Sequence, residues 1–321
     1  MYVILVDEGR RLITSDARAL RLYDPSGETE LVTEVEAPGE LPFFEKSPSG
    51  ERMTHAGGVV ARSFTPLGLD VHWVSAPSSV ALYSATDLRR LALLELGQRL
   101  DHESLSLSPD GRLLASVARG GGAVVFDADT GAKRWQLDGE IASGICWSPD
   151  GRHLALGETG QGGGELTLID TTPASGGAPE KLSLPPPTSK CGLFDSPYRT
   201  AFSGDGRLVV FTSASWGSAG VSLYDVATRA EAWSVSMPTT DGEDVEHWLA
   251  PEVTFALDDR LILAGQDGLV QAFRTADGHE LSRLEYERAD ARYFAADTGR
   301  RRIWLTRGGQ PASVAFPDDW R

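Results

Sequence analysis

Cysteine, methionine and long hydrophobic runs are scarce in this chain of 321 residues. The only cysteines, Cys146 and Cys191, are too few for a disulfide-stapled scaffold. No stretch approaches the roughly 20 consecutive apolar residues that a membrane-spanning helix needs. The apolar run from Tyr2 to Val6 is too short for the core of a signal peptide and follows no basic segment. We therefore expect a reduced, cytoplasmic protein.

Basic residues are also in short supply. The chain has 30 lysines and arginines against 46 aspartates and glutamates, which gives a net charge of −16. Because phosphate contacts need lysine and arginine, this balance argues against nucleic acid as a partner. It argues equally against an anionic membrane surface. The charge instead favours a partner protein with a basic surface.

The motifs of common catalytic and metal sites are missing as well. The histidines do not fall at HExxH or another metal-ligand spacing, and the chain has no CxxC, GxSxG or GxxxxGK motif. Cys146 lies among apolar residues and is predicted to be an inert core thiol, whereas Cys191 falls in a loop. We expect no catalytic residue, no metal site and no cofactor, and hence no enzyme.

What the sequence does contain is an internal repeat. The segment LSPDGR at 107–112 recurs as WSPDGR at 147–152 and as FSGDGR at 202–207. Asp-Gly between apolar runs is a strong hairpin signal, because glycine accepts the positive φ that tight turns require. The aspartates of these turns are predicted to bond neighbouring backbone groups, and not to act as catalytic carboxylates.

Each turn belongs to a unit of four apolar runs. The third run ends in an aromatic residue followed by an aspartate, as at Phe126-Asp127 and Tyr224-Asp225. Four short strands joined by tight turns make one blade of a β-propeller. The shortest spacing between equivalent turn glycines, 40 residues, lies within the range of such blades.

The repeat predicts an all-β chain that forms a single β-propeller domain, residues 1–321, of seven four-stranded antiparallel blades. Eight or six blades stay open as alternatives, because the second unit is long and the seventh shows only three runs. The predicted blades lie at about 1–36, 41–97, 104–137, 142–185, 198–237, 250–287 and 291–317.

The Ser-Pro-Asp-Gly-Arg turns and the aromatic-aspartate pairs make nearly the whole chain resemble bacterial WD40-like β-propellers. True Trp-Asp pairs and Gly-His openings are absent, so the histidine-to-aspartate bonding of regular WD40 blades is not expected. The segment FDADTGAKRW at 126–135, with a weaker copy at 224–233, resembles the tryptophan docking repeat of quinoprotein propellers, which locks blades together. The adjacent cysteine pair of quinoprotein dehydrogenases is missing. The WD40-like resemblance implies a protein–protein scaffold, although a fold does not fix a function.

The long loops fall mainly on one face of the predicted propeller, in its fourth and fifth units. They cover 157–165, 185–198, 213–220 and 238–250. Long loops in compact domains are often functional, and these combine aromatic residues with acids, as a binding hot spot does. The candidate partner-binding residues are Phe194, Asp195, Tyr198, Trp216, Asp241, Glu243, Asp244, Glu246, His247 and Trp248.

The leading hypothesis is a non-catalytic propeller that serves as an interaction scaffold or regulatory subunit of a bacterial multiprotein assembly. An inhibitory subunit released by loop cleavage is one version of it. The expected partner is another protein with a basic surface; nucleic acid, membrane and self-assembly are not expected. One alternative is a lactonase-, hydrolase- or quinoprotein-like enzyme with a central-channel site, near which Glu252 and Arg292 are the ionisable residues. The other is a binder of glycans or small ligands.

Overall fold

The computed structural model consists of β-strands and their connections in the residues that it describes. Those residues are 2–7, 9–16, 19–26, 29–36, 53–64, 79–96, 100–118, 121–139, 141–159, 165–172, 178–188, 199–215, 218–237, 251–266, 268–286, 294–307 and 310–320. Their strands form seven antiparallel sheets, and consecutive strands pair within each sheet. The fold class is a seven-bladed β-propeller, which confirms the predicted fold. That the chain is a single domain stays a prediction.

The first three sheets have four strands each. Sheet 1 contains β1 (Tyr2–Val6), β2 (Arg11–Ser15), β3 (Ala19–Asp24) and β4 (Glu30–Glu36). Sheet 2 contains β5 (Met53–Ala56), β6 (Val59–Phe64), β7 (Ser79–Ser84) and β8 (Arg90–Glu95). Sheet 3 contains β9 (Leu100–Leu107), β10 (Leu113–Ala118), β11 (Ala123–Asp127) and β12 (Lys133–Leu137).

The next three sheets also have four strands, and the last has three in the described part of the chain. Sheet 4 contains β13 (Ile141–Trp147), β14 (His153–Thr159), β15 (Glu165–Asp170) and β16 (Glu180–Leu184). Sheet 5 contains β17 (Arg199–Phe202), β18 (Leu208–Ser215), β19 (Ser218–Asp225) and β20 (Ala230–Met237). Sheet 6 contains β21 (Glu252–Ala256), β22 (Leu261–Gln266), β23 (Leu269–Arg274) and β24 (Glu280–Glu285). Sheet 7 contains β25 (Ala295–Asp297), β26 (Arg302–Arg307) and β27 (Gln310–Ala315).

The chain divides into two compact units. One contains sheets 1, 2, 3 and 7, and the other contains sheets 4, 5 and 6 with the tail 316–321. In the first, Leu94 of sheet 2 packs with Val124 and Phe126 of sheet 3. In the second, Val221 of sheet 5 packs with Ile262 of sheet 6. Each unit thus buries apolar strand faces between neighbouring sheets, because a blade cannot cover its own faces.

The repeated turn has one hydrogen-bond pattern, which confirms the role predicted for its aspartates. The Ser148 hydroxyl donates to Asp150 Oδ1 at 2.6 Å, and the Arg152 N–H donates to the same oxygen at 3.0 Å. The His153 N–H donates to Ser148 Oγ at 2.9 Å, while Gly151 has a φ of +72°. The same bonds are made by Ser108 with Asp110 and by Ser203 with Asp205.

Candidate interface site

All ten predicted partner-binding residues lie outside the described residues. They are Phe194, Asp195, Tyr198, Trp216, Asp241, Glu243, Asp244, Glu246, His247 and Trp248. The structure does describe the roots of the segments that carry them, namely the strand ends on either side. The candidate site is therefore built here from those roots.

Two roots meet in an ion pair between the first residues of neighbouring strands. Arg199 begins β17 directly after the segment 189–198, and Glu252 begins β21 shortly after the segment 238–250. The Arg199 Nε lies 3.5 Å from Glu252 Oε2, and the two side chains are 2% and 20% exposed. Because a buried guanidinium needs a compensating charge, this pair holds the two roots together.

A hydrogen bond reinforces the same junction. Thr212 of β18 is paired with Arg199, and its hydroxyl donates to the Pro251 carbonyl oxygen at 2.6 Å. Thr212 is fully buried, so the bond is shielded from water. The residue that precedes β21 is thus fastened to sheet 5, and the segment 238–250 starts and ends on sheets that pack together.

The start of the segment 185–198 is fastened on the outer side of sheet 5. The Tyr224 hydroxyl donates to the Pro185 carbonyl oxygen at 2.9 Å. The Thr188 N–H donates to Glu231 Oε2 at 2.7 Å, and the Thr188 hydroxyl donates to Glu231 Oε1 at 2.5 Å. Both ends of this segment therefore rest on sheet 5.

A second buried carboxylate lies at the root of the segment 157–165. Glu158 of β14 is 2% exposed; its Oε1 lies 2.9 Å from the Lys181 Nζ, and its Oε2 accepts from the Thr167 hydroxyl at 3.4 Å. A Cβ at Gly139 would lie within 2.1 Å of that Oε1. The backbone at Gly139 thus covers the ion pair, and only glycine leaves it room.

Two of the predicted loops are shorter than expected. The prediction of a loop at 213–220 was wrong, because β18 and β19 stay paired up to Ser215 and Ser218. At 157–165 the pairing likewise continues up to Glu158 and Glu165. Serine, glycine and alanine made these segments resemble loops, but backbone pairing depends little on which small side chain a strand carries.

Sequence reasoning missed most of the residues that fasten the roots. Glu252 was considered as an ionisable group of a catalytic channel, whereas the structure pairs it with Arg199. Arg292 and Cys191 lie outside the described residues. A usable signal was present: Arg199 and Glu252 are charged residues that open apolar strands directly after long polar segments.

The remaining expectations about chemistry concern metals, thiols and membranes. No group of three or more histidine, cysteine, aspartate or glutamate side chains in the described part of the chain is placed to hold a metal ion. Cys146 is half-buried, and its thiol donates to the Trp147 carbonyl oxygen at 3.4 Å. Among the described residues there is no helix long and apolar enough to span a membrane.

Comparisons with known proteins show the fold alone. No protein-family model and no curated protein sequence matches this chain. Many solved structures are similar to it, among them a chain of Kuenenia stuttgartiensis hydrazine synthase. That chain is 12% identical, the match covers 99% of this chain and 95% of that one, and the TM-score is 0.66. Membership of a WD40-like family therefore stays a prediction.

Proposed function

We propose that this propeller is a non-catalytic interaction or regulatory subunit that binds a basic partner protein through the segments 189–198, 216–217 and 238–250. The observation that carries the proposal is the fastening of their roots by the Arg199–Glu252 ion pair and the Thr212–Pro251 hydrogen bond. A frame that holds loop ends rigidly lowers the entropy lost when the loops bind.

The sequence between these roots indicates the partner's charge. The segment 238–250 contains two aspartates, two glutamates and a tryptophan, with no lysine or arginine. An acidic segment accelerates the capture of a basic partner by electrostatic steering. Tryptophans surrounded by charged residues, such as Trp216 and Trp248, are typical anchors of protein interfaces.

The test starts with a tagged pull-down from the native host and then measures association rates of the captured protein. The loop variant carries Asp241→Asn, Glu243→Gln, Asp244→Asn and Glu246→Gln. We expect its association rate to fall at least about tenfold at low salt, with a weaker salt dependence than the wild type. Trp216→Ala is expected to act instead on dissociation, because an anchor contributes after encounter.

A matched control removes the same charge elsewhere. Its four substitutions fall on exposed acids outside the candidate site: Glu30→Gln, Glu36→Gln, Glu95→Gln and Asp129→Asn. This variant should change the association rate by less than about threefold. If both variants slow association equally, the effect comes from the net charge of the protein and not from the segment 238–250. A monomer that captures no stoichiometric partner would contradict the proposal.

The same purified protein can be used to distinguish the enzyme alternative from the ligand-binding alternative. If no partner is found, metal analysis and glycan-binding assays on the purified chain decide between them. A stoichiometric metal would favour the enzyme. Glycan binding that Trp216→Ala abolishes would favour the ligand binder. The similarity to hydrazine synthase favours neither alternative, because at 12% identity it shows the fold alone.

A further inference from the structure

Sheet 7 has an open outer edge in the described part of the chain. β27 pairs with β26 on one side and with no described strand on the other. The chain after Ala315 is bound to sheet 6 instead: the Trp320 Nε1–H donates to Ser282 Oγ at 2.9 Å, and the Ser282 hydroxyl donates to Asp319 at 2.7 Å. The tail therefore does not supply a fourth strand to sheet 7.

Pro311 shows which backbone groups of β27 point outward. It is paired with Thr306 in the ladder, yet it has no N–H to donate. Proline is tolerated in an edge strand when its nitrogen faces away from the neighbouring strand. Because the pattern alternates along an antiparallel strand, Ser313 shares this orientation and directs its N–H and C=O outward. An additional strand would find one donor and one acceptor there.

Sheets 4 and 5 show how the equivalent position is covered elsewhere in this chain. Tyr224 and Glu231 are partners across β19 and β20. The chain that follows the fourth strand of sheet 4 lies on this pair: Pro185 accepts from the Tyr224 hydroxyl, and Thr188 donates to Glu231. A fourth strand and its continuation thus cover a tyrosine hydroxyl and its cross-strand partner in the next sheet.

Tyr23 and Leu31 are the equivalent pair of sheet 1, and no described residue that follows β27 lies on them. Tyr23 packs with Trp304 of β26, so the pair faces sheet 7. Tyr23 is 2% exposed, yet its buried hydroxyl has no hydrogen-bond partner in the described part of the chain, while Leu31 is 49% exposed. The Tyr83 hydroxyl in sheet 2 also has none, but there the residues that follow the preceding sheet, 37–52, lie outside the described ones.

The surroundings of the Tyr23 hydroxyl are polar as well as buried. Burial raises the pKa of the Tyr23 phenol, and the neighbouring Thr14 hydroxyl offsets part of that rise. The Thr14 hydroxyl is itself buried and lies close enough to the Tyr23 hydroxyl to lower its pKa, but neither group reaches a full hydrogen-bond geometry with a described residue. An acceptor brought in by an additional strand would therefore meet a donor that is already out of contact with water.

Charge indicates the kind of strand that fits. Residues 294–315 contain four arginines and one aspartate, a net charge of +3 in a chain whose net charge is −16. The aspartate is already bound to Arg300. Arg302 and Arg307 begin and end β26, and both are exposed at the two ends of the ladder with β27. A strand laid along β27 would have an arginine near each end.

We propose that the outer edge of β27 binds an extended acidic strand of a partner protein, which completes sheet 7 as its fourth strand. The strand bonds to the backbone of Ser313, as in β-strand addition. An apolar side chain of the strand covers the exposed Leu31, and its acids lie near Arg302 and Arg307. A shift of the side chains over Tyr23 lets one of the strand's carbonyl oxygens accept from the buried hydroxyl. This surface is independent of the loops of the proposed function.

The test uses the full-length chain and a short capped peptide of alternating valine and threonine with a glutamate at each end. Titration calorimetry should show saturable binding, at least about tenfold tighter than that of the same peptide with lysine at each end. Ser313→Pro removes the outward N–H and should weaken binding about tenfold. Ser313→Thr keeps that N–H and the side-chain oxygen that accepts from the Arg302 Nε at 2.8 Å, and it should stay within about threefold of the wild type.

Further variants test the proposal even if Ser313→Pro disturbs the folding of β27. Tyr23→Phe removes a hydroxyl that completes no hydrogen bond with the described residues, so the free protein should unfold at nearly the same temperature or higher while peptide binding weakens. Tyr83→Phe is its matched control and should leave binding unchanged. Leu31→Asp should also weaken binding, whereas Leu91→Asp changes another exposed leucine, on the outer strand of sheet 2, and should not.

Several results would overturn the proposal. Equal binding of the two peptides would exclude an acidic partner strand. Binding that survives both Ser313→Pro and Tyr23→Phe would place the peptide elsewhere. Protection of the Ser313 amide from hydrogen exchange in the free protein would mean that this chain covers its own edge. If protection of the Ser313 amide from hydrogen exchange rises with protein concentration, the outer edge of β27 binds a second copy of this chain instead.

Discussion

The indole Nε1–H of Trp233 in β20 donates a hydrogen bond to the carbonyl oxygen of Thr275, 2.8 Å away. The same indole lies against Gly278, where a Cβ would come within 2.7 Å of the Trp233 Cδ2 atom. Sheet 5 is thereby joined to the turn between β23 and β24 of sheet 6. Trp233 ends the weaker copy of the tryptophan repeat that the sequence shows at 224–233.

Gly278→Ala tests this junction. Gly278 has a φ of +69°, so alanine there is strained as well as too close to the indole. We expect a loss of about 2–4 kcal/mol in the free energy of unfolding, measured in urea. Gly58→Ala is the matched control, because Gly58 has a φ of +76° and a Cβ there would meet no atom of the described residues within 4 Å. It should cost only about 1 kcal/mol, and equal losses would contradict the role of Trp233.

The Arg199–Glu252 pair should behave as a coupled unit. Glu252→Gln removes the carboxylate charge beside the buried guanidinium, and we expect it to cost about 2 kcal/mol in the free energy of unfolding. Arg199→Leu should cost a similar amount. Combining Glu252→Gln with Arg199→Leu should cost clearly less than the sum of the two single replacements. Strict additivity in a double-mutant cycle would show that the two side chains do not interact.

The turn after β11 should make stability depend on acid pH. The Thr130 hydroxyl and then the Arg134 guanidinium lower the pKa of the Asp127 carboxyl from 3.8 to about 2. Because this pKa is lower in the folded state, the carboxylate stabilises the fold above the unfolded pKa, and its contribution is lost as the pH falls towards about 2.

Asp127→Asn should therefore lower the melting temperature near neutral pH and have progressively less effect at acid pH. Thermal unfolding of both proteins across the acid range measures the difference. Asp129→Asn is the control, since the Asp129 carboxylate accepts none of the described hydrogen bonds of this turn. A difference between Asp127→Asn and the wild type that stays constant with pH would contradict the assignment.

The C-terminal tail should contribute to stability through Trp320. This side chain is fully buried, lies 5.4 Å from the Phe316 ring between ring centroids, and donates to Ser282. Trp320→Ala is expected to cost about 3–5 kcal/mol in the free energy of unfolding. Asp319→Asn removes one of the two exposed carboxylate oxygens that accept from Ser282 and should cost about 1 kcal/mol. A loss below that level for Trp320→Ala would mean that the tail is dispensable.

Local patterns predicted the sheets well and the loop ends less well. The Asp150 turn needs only contacts within a few residues, so its motif was sufficient to predict it. The end of β18 was placed too early and the start of β19 too late, because 213–215 and 218–220 carry no strong strand signal. What extends those strands is their pairing partner, and a sequence pattern does not show pairing strength.

The candidate site shows the same division. The sequence identified an acidic, aromatic composition in the segment 238–250, but not how its ends are held. The ion pair of Arg199 with Glu252 joins residues 53 positions apart, and the bond of Thr188 to Glu231 joins residues 43 positions apart. Such contacts exist only once neighbouring sheets have packed together.

By itself the sequence determined the repeat, the tight turns and the seven sheets, because hairpins depend on residues close together in the chain. The tertiary structure alone decided that Glu252 serves an ion pair, that Trp320 fastens the tail to sheet 6, and that β27 has no second partner strand among the described residues. These features depend on which sheets become neighbours. Burial then determines which charges need partners and which backbone groups remain available.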